Sequence, residues 1–319
     1  MRLKLLLAAL LLAAGPAPAA PFEFVALGDM PYGNNEKTLA AYESLITEIN
    51  ARQPAFTIHV GDLKSGRMPC SDDVLETRLD YLNRFAPALI YTPGDNEWTD
   101  CHQLLAGRFD PLERLGFLRR TFFADPSRSL GTAPFAVQSQ ALVMGSAFAP
   151  YVENTRFMHE DVLFVQAHVV GSNNNFLAYN PAATAEHLAR DRANLAWLHD
   201  SFALAAERGA RAVVVSVQAD MFRWDFDRPG HPEKFEPHSG FANFGNALRR
   251  EAKRFARPVL LVYGDSHSFL IHRPFRRTAP NLIALQVFGA RDMHAVRIAV
   301  DPEAPEVFSF APLFNPRHP

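Results

Sequence analysis

The sequence predicts an α/β fold whose strands pair mainly in parallel. Three observations predict it. Short apolar, β-prone runs alternate with amphipathic helical stretches. Four Gly-Asp dipeptides each close one such run: Gly28-Asp29, Gly61-Asp62, Gly94-Asp95 and Gly264-Asp265. The first three Asp residues stand 33 positions apart each time, the length of a β-α-β unit and not of a solenoid repeat.

Each element has its own pattern. Phe22 to Leu27, Phe56 to Val60, Leu89 to Tyr91 and Val259 to Tyr263 are short apolar runs followed by Gly or Pro, as buried strands are. Leu39, Tyr42, Leu45, Ile46 and Ile49 recur on one helical face. Leu75, Leu79, Leu82 and Ala86 form a second stripe, with Asp73 and Glu76 spaced as a capping pair. Arg156 to Val170 reads as two strands in a hairpin. Leu188, Leu195, Leu198 and Phe202 mark a third helix, before a strand at Val213 to Val217. Phe244, Leu248 and Phe255 mark a fourth, before Val259 to Tyr263. Leu282 to Phe288, Val296 to Val300 and Val307 to Phe310 are strand-like. No linker composition interrupts residues 21–319, which read as one domain. The 26 Phe residues suit a core between two sheets.

Residues 1–20 stand apart. Arg2 and Lys4 precede an unbroken apolar run, Leu5 to Ala14, and Ala17-Pro18-Ala19 fits a cleavage site. The expectation is a secretory signal peptide cut near Ala19-Ala20, and a periplasmic or secreted mature protein. The apolar run is too short to span a bilayer, which needs about 20 residues. No later run is long enough either, so stable membrane insertion is not expected. The net charge of −2 becomes −4 without Arg2 and Lys4. That balance gives no support to nucleic-acid binding. The two cysteines cannot make a four-cysteine zinc site. Export places Cys70 and Cys101 where disulfides persist, and both follow motif loops. A Cys70–Cys101 bridge is expected, with two buried free thiols as the alternative.

Each Gly permits a sharp turn at a strand end, and each Asp is presented just beyond it. Parallel strands share one carboxyl edge, where ligands of α/β sheets bind, so the four Asp residues should converge. With 17 Gly in 319 residues, chance supplies about one Gly-Asp pair. Turn chemistry accounts for any single pair. Gathered carboxylates repel one another unless a cation neutralises them. Two ions about 3.5–4 Å apart can activate a water and clamp a phosphate.

In order and spacing, the motifs resemble those of the calcineurin-like metallophosphoesterases, a superfamily that includes the purple acid phosphatases. That signature runs D-x-H, G-D, G-N-H-E or G-N-H-D, a lone His after a strand, and G-H-x-H. The counterparts are Asp29-Met30-Pro31, Gly61-Asp62, Gly94-Asp95-Asn96-Glu97, Gln218, and Gly264-Asp265-Ser266-His267, over roughly residues 22–290. The resemblance implies a four-layer α/β/β/α sandwich and metal-dependent hydrolysis of phosphoesters. It implies metal ligands at Asp29, Asp62, Asp95, Gln218, Asp265 and His267, with Asp62 bridging.

The departures carry chemistry of their own. Pro31 stands where D-x-H has His and cannot bind metal. Its place at the metal is left to water or to another residue. Asp95 replaces an Asn ligand, Gln218 the lone His, and Asp265 the first His of G-H-x-H. Asp62, Asp95, Gln218 and Asp265 form an all-oxygen set, which favours Mg²⁺, Mn²⁺ or Ca²⁺ there, with Fe or Zn open and one or two ions in all. Asn96 replaces the His that serves the phosphate or leaving group, so protonation needs another donor. His102, His168 and Asp220 are the candidates. The polar stretch Gly171 to Asn175 offers donors to phosphate oxygens. Lys64 and Arg67 offer charge to an anionic substrate. The aromatic loop Asp220 to Gly240 walls a pocket, forms a lid, or packs over the sheet edge. His272-Arg273 and Arg276-Arg277 are expected to be solvated surface. Two functions follow. One is an exported metal-dependent phosphoesterase acting on a small phosphorylated mono- or diester through a metal-activated water. The other is a catalytically disabled metal- or ligand-binding protein on the same fold.

Overall fold

A computed structural model describes residues 19–318. The expected leader falls outside them, apart from its last two residues. Two sheets form the centre. The first has five strands, in spatial order Phe308–Leu313, Ala295–Val300, Phe22–Leu27, Phe56–His59 and Ala88–Tyr91. The last three run parallel, and the first two join antiparallel. The second sheet has seven strands, in the order Leu270–His272, Leu282–Gln286, Val259–Tyr263, Ala212–Ser216, Val162–Gln166, Thr155–His159 and Gln138–Ser139. Its middle four, Leu282–Gln286 to Val162–Gln166, are parallel. The hairpin expected within Arg156 to Val170 is the antiparallel pair Thr155–His159 and Val162–Gln166.

Strand side chains alternate between faces, and here both faces are apolar and buried. Phe24, Ala26, Ile58, Val214, Leu260 and Val262 meet between the two sheets. Val25 and Leu27 instead pack under helices Glu36–Arg52, Asp72–Leu82 and Pro111–Phe122. Val213, Val215 and Leu261 pack under Pro181–Glu207 and Ala242–Phe255. The apolar side chains thus form three cores, one between the sheets and one under each set of helices. Burying each such side chain is worth about 1.5–3 kcal/mol. The aromatic supply goes to the middle core: Phe56 sits edge-on to Phe164 at 4.8 Å and stacks with Phe24 at 5.3 Å.

Two local expectations are corrected. Helix Asp72–Leu82 starts after Ser71, so Asp73 lies inside the first turn and the Asp73–Glu76 capping pair does not form. Leu188 faces solvent, while Leu198 and Phe202 are buried. Helix Pro181–Glu207 is long enough for its apolar stripe to drift around its axis. No described helix is long and apolar enough to cross a membrane.

Candidate metal centre

The parallel strands deliver their carboxyl ends to one edge, and the acidic loops meet there. Asp29 follows Phe22–Leu27, Asp62 follows Phe56–His59, Asp95 follows Ala88–Tyr91, and Asp265 follows Val259–Tyr263. Asp29, Asp62, Asp265 and His267 adopt left-handed backbone, with φ of 54°, 57°, 76° and 58°. Such angles are uncommon outside glycine, and a cluster of them marks a site whose surroundings hold it in place. The hydrogen bonds show how. The Asp29 amide donates to Gly61 O at 2.9 Å. The Asp265 amide donates to both Asp29 oxygens, at 2.9 and 3.0 Å.

Asp29, Asp62 and His267 each present a ligand atom, all within 4.8 Å of one another. His267 Nε2 lies 3.9 Å from Asp29 Oδ1. The Tyr32 hydroxyl joins them, donating to Asp62 Oδ2 at 2.8 Å and lying 3.2 Å from His267 Nε2. The sequence reading missed Tyr32, one residue beyond the Pro31 that replaces a histidine. Asn96 supports the same carboxylate: its backbone amide reaches Asp62 Oδ1 at 3.2 Å and its side-chain amide reaches Asp62 Oδ2 at 2.7 Å.

Asp95 and Asp265 form a second acidic edge. Both close on Gly171, where a Cβ would lie 2.5 Å from Asp95 Oδ2 and 2.9 Å from Asp265 Oδ1. A side chain there would have to displace both carboxylates. Gln218 is turned away from ligation. Its oxygen accepts from the Gly171 amide at 2.6 Å, and its NH₂ faces Asp95 Oδ1 at 3.4 Å. Ser172 Oγ lies 2.9 Å from Asp95 Oδ2 and 2.7 Å from Asp100 Oδ1.

Neither a family model nor a curated protein matches this sequence. Solved structures do match its fold. A dimetal phosphatase from Danio rerio superposes on 94% of this chain and 100% of its own, with a TM-score of 0.54 at 11% identity. PhoD matches over 93% of this chain and 70% of its own, at 0.53 and 11%. The purple acid phosphatase PPD1 of yellow lupin (Lupinus luteus) matches over 95% of this chain and 56% of its own, at 0.51 and 12%. The chain has the calcineurin-like metallophosphoesterase fold. At these identities the likeness concerns fold, and the chemistry must be read from the residues.

The acidic edge of this calcineurin-like fold is electrostatically loaded. Burial, then the charge of Asp95, pushes Asp62 well above the usual carboxylate range. Burial likewise raises Asp29, against the Asp265 amide that steadies its charge. Burial and Asp100 push Asp95 up to about 6, and burial and Asp95 push Asp265 up to about 8. Tyr32 is raised by burial and by Asp62, so its proton is firmly held. Burial, then Arg223, lowers His267 and favours the neutral, ligating imidazole. Acceptor-only oxygens, a neutral imidazole and mutual repulsion among the carboxylates together fit a divalent cation.

The proton-donor candidates fare differently. His168 is wholly enclosed, with Nδ1 2.8 Å from Glu153 Oε1, and Arg119 pairs with the same carboxylate at 2.6 Å. Burial presses Glu153 upward, but Arg119 and His168 hold it below the usual range. An imidazole so enclosed has no path to a substrate, which corrects its reading as a general acid. His102 is exposed and bonded to Thr99 O at 2.7 Å, beside a different cavity, and makes no hydrogen bond to the acidic edge. Asp220 does reach the site: its amide donates to Asp265 Oδ2 at 3.0 Å. Lys64 is buried, with its ammonium on the Ser65 and Met68 carbonyls.

Two further features frame the centre. Cys70 and Cys101 form the expected disulfide. Glu97 is fully buried and accepts from the amides of Asp62, Leu63 and Gly94, the last at 2.8 Å. It binds two motif loops together. Residues 172–175 all take left-handed angles, from 48° to 60°, so the polar stretch is one strained turn and not an open phosphate loop. Asn174 anchors it, with Oδ1 facing the Val170 amide at 3.3 Å and Nδ2 donating to Gly240 O at 3.1 Å. That turn carries Ser172 to Asp95.

Proposed function

We propose that the protein is an exported, metal-dependent phosphoesterase acting on a small phosphorylated mono- or diester. The convergence of Asp29, Asp62 and His267, within 4.8 Å, supports this most directly. Asp29, Asp62, His267 and the Tyr32 hydroxyl would hold one ion. Asp95 and Asp265 would hold a second, with Gln218 joining only if its amide turns off Gly171. A bound divalent cation supplies Lewis acidity and a more acidic water. The Asn96 NH₂ stands in the place the family gives to His, with its two hydrogens engaged on Asp62 Oδ2 and the Tyr32 hydroxyl. It carries no proton to transfer. This reading therefore expects hydrolysis to favour leaving groups that depart without protonation, such as phenolates, with rates falling steeply as leaving-group pKa rises.

The test is a screen of the purified mature protein with aryl phosphate mono- and diesters and Mg²⁺, Mn²⁺, Ca²⁺, Zn²⁺ or Fe. Asp62→Asn should lose bound metal, by elemental analysis, and all turnover. Full activity in that variant would defeat the assignment. A second reading, a binding protein with a disabled site, draws on Asn96 and on the enclosure of His168. Metal bound at this centre with no ester turned over under any condition would establish it.

A further inference from the structure

The basic cluster is solvent-exposed at Arg273, Arg276 and Arg277, as expected, and it borders a cavity of about 570 Å³. Arg223, Arg276 and Arg277 border it, and they form no ion pair among the described residues. The acids around the cavity accept from neutral donors and form no ion pair with its arginines. Glu233 accepts from the Arg277 amide at 2.7 Å and from Thr278 Oγ1 at 2.6 Å. Asp227 accepts from the Glu233 amide at 2.5 Å. Asp220 accepts from Ser266 Oγ at 2.5 Å and from the Phe222 amide at 3.1 Å. Four exposed arginines, Arg223, Arg273, Arg276 and Arg277, thus border the concavity without an ion pair among the described residues, and Arg273 donates to Pro280 O. Each offers a planar fork that suits an oxyanion.

The walls are aromatic. Phe222 packs edge-on against Tyr263 at 5.8 Å and His272 at 5.4 Å, and Tyr263 Oη lies 3.0 Å from His272 Nε2. Phe226 packs on Phe275 at 5.5 Å. The volume is that of an ordinary small-molecule site. The cavity also adjoins the acidic centre. Asp220 lines it, and the Asp220 amide is hydrogen-bonded to Asp265.

We infer that this cavity receives a second anionic group of the substrate, borne on the part that leaves the scissile phosphate. The substrate class is then a phosphoester whose alcohol or phenol carries another oxyanion, a phosphate, sulfate or carboxylate, on an apolar spacer against the aromatic wall. This deepens the phosphoesterase reading and rests on it for the word substrate. The oxyanion site itself does not.

Two measurements separate the claims. The first is calorimetric titration of the full mature chain with inorganic phosphate at low ionic strength, with chelator present. Wild type should bind saturably. Arg223→Ala with Arg276→Ala should weaken binding tenfold or more, the single Arg276→Gln less, and Arg84→Ala, at an exposed pair with Glu43, not at all. Circular dichroism checks that each variant is folded. No saturable binding by wild type, or equal binding by the folded double variant, would overturn the site. The second measurement uses metal-loaded enzyme and the ratio of kcat/KM for 4-carboxyphenyl phosphate to that for phenyl phosphate. The ratio should fall at least tenfold in the double variant, and an unchanged ratio would overturn the assignment to substrate. If wild type hydrolyses neither ester, the phosphoesterase reading fails with it, while the phosphate titration still decides the oxyanion site.

Discussion

A carboxylate buried beside others holds its proton more tightly than one in water, and the acidic edge repeats that effect. Asp95 rises to about 6 and Asp265 to about 8, whereas both would titrate near 4 in an unfolded chain. Between those limits the folded chain binds more protons than the unfolded one. Metal-free stability must therefore fall as pH rises through that window. The thermal unfolding midpoint with EDTA should be lower at pH 8 than at pH 5. Mn²⁺ should restore more of it at pH 8, because the ligands it needs are then ionised. A midpoint flat across this range, with and without metal, would show that these carboxylates are not coupled to folding. Tyr32 offers a second residue-level test. Tyr32→Phe removes the donor to Asp62 and the neighbour of His267, and should weaken metal binding about tenfold, or about 1.4 kcal/mol, by calorimetry. Unchanged affinity would leave Tyr32 a packing residue. Nothing in the order of motifs pointed to it. Its signal was a hydroxyl-bearing residue next to Pro31, visible only once a vacancy in the ligand set was sought nearby.

At the scale of elements, short tethers decide where the carboxylates stand. The Cys70–Cys101 bridge spans 31 residues and encloses the loop bearing Asp95 and Glu97. Chain-entropy arguments give such a closure about 3–4 kcal/mol. Reduction should lower the urea midpoint accordingly, and an unchanged midpoint would show that Glu97 and its three amides already hold the loop. Gly171 ties the strained turn to the metal edge. Gly171→Ala would drive a methyl group into Asp95 and Asp265, at a cost of about 1–3 kcal/mol by denaturant titration. It should also shift metal affinity, and neither effect would appear if the two carboxylates swing freely. The strands bearing Asp29 and Asp265 were read from sequence at their observed bounds, Phe22–Leu27 and Val259–Tyr263. Continuous apolar runs ending in Gly leave little choice. The start of helix Asp72–Leu82 was misread because three adjacent polar residues, Ser71, Asp72 and Asp73, can each cap a helix, and packing chose among them.

For the whole molecule, the charge and the leader patterning bear on location. N-terminal sequencing of protein recovered outside the cytoplasm should begin near Ala20 or Pro21. An intact Met1 terminus on the soluble form would refute the cleavage expectation. The sequence by itself determined the central strands, their acidic ends and the edge on which they gather, because period, turn chemistry and parallel pairing are local or topological rules; the short strands Gln138–Ser139, Phe226–Arg228, His231–Phe235 and Leu270–His272 carried no such pattern. Tertiary structure alone decided which side chains reach that edge. It enclosed His168, turned Gln218 onto Gly171, brought Tyr32 to Asp62, and folded exposed arginines around a cavity. Those outcomes depend on angles and distances between segments far apart in the chain, and no local pattern encodes them.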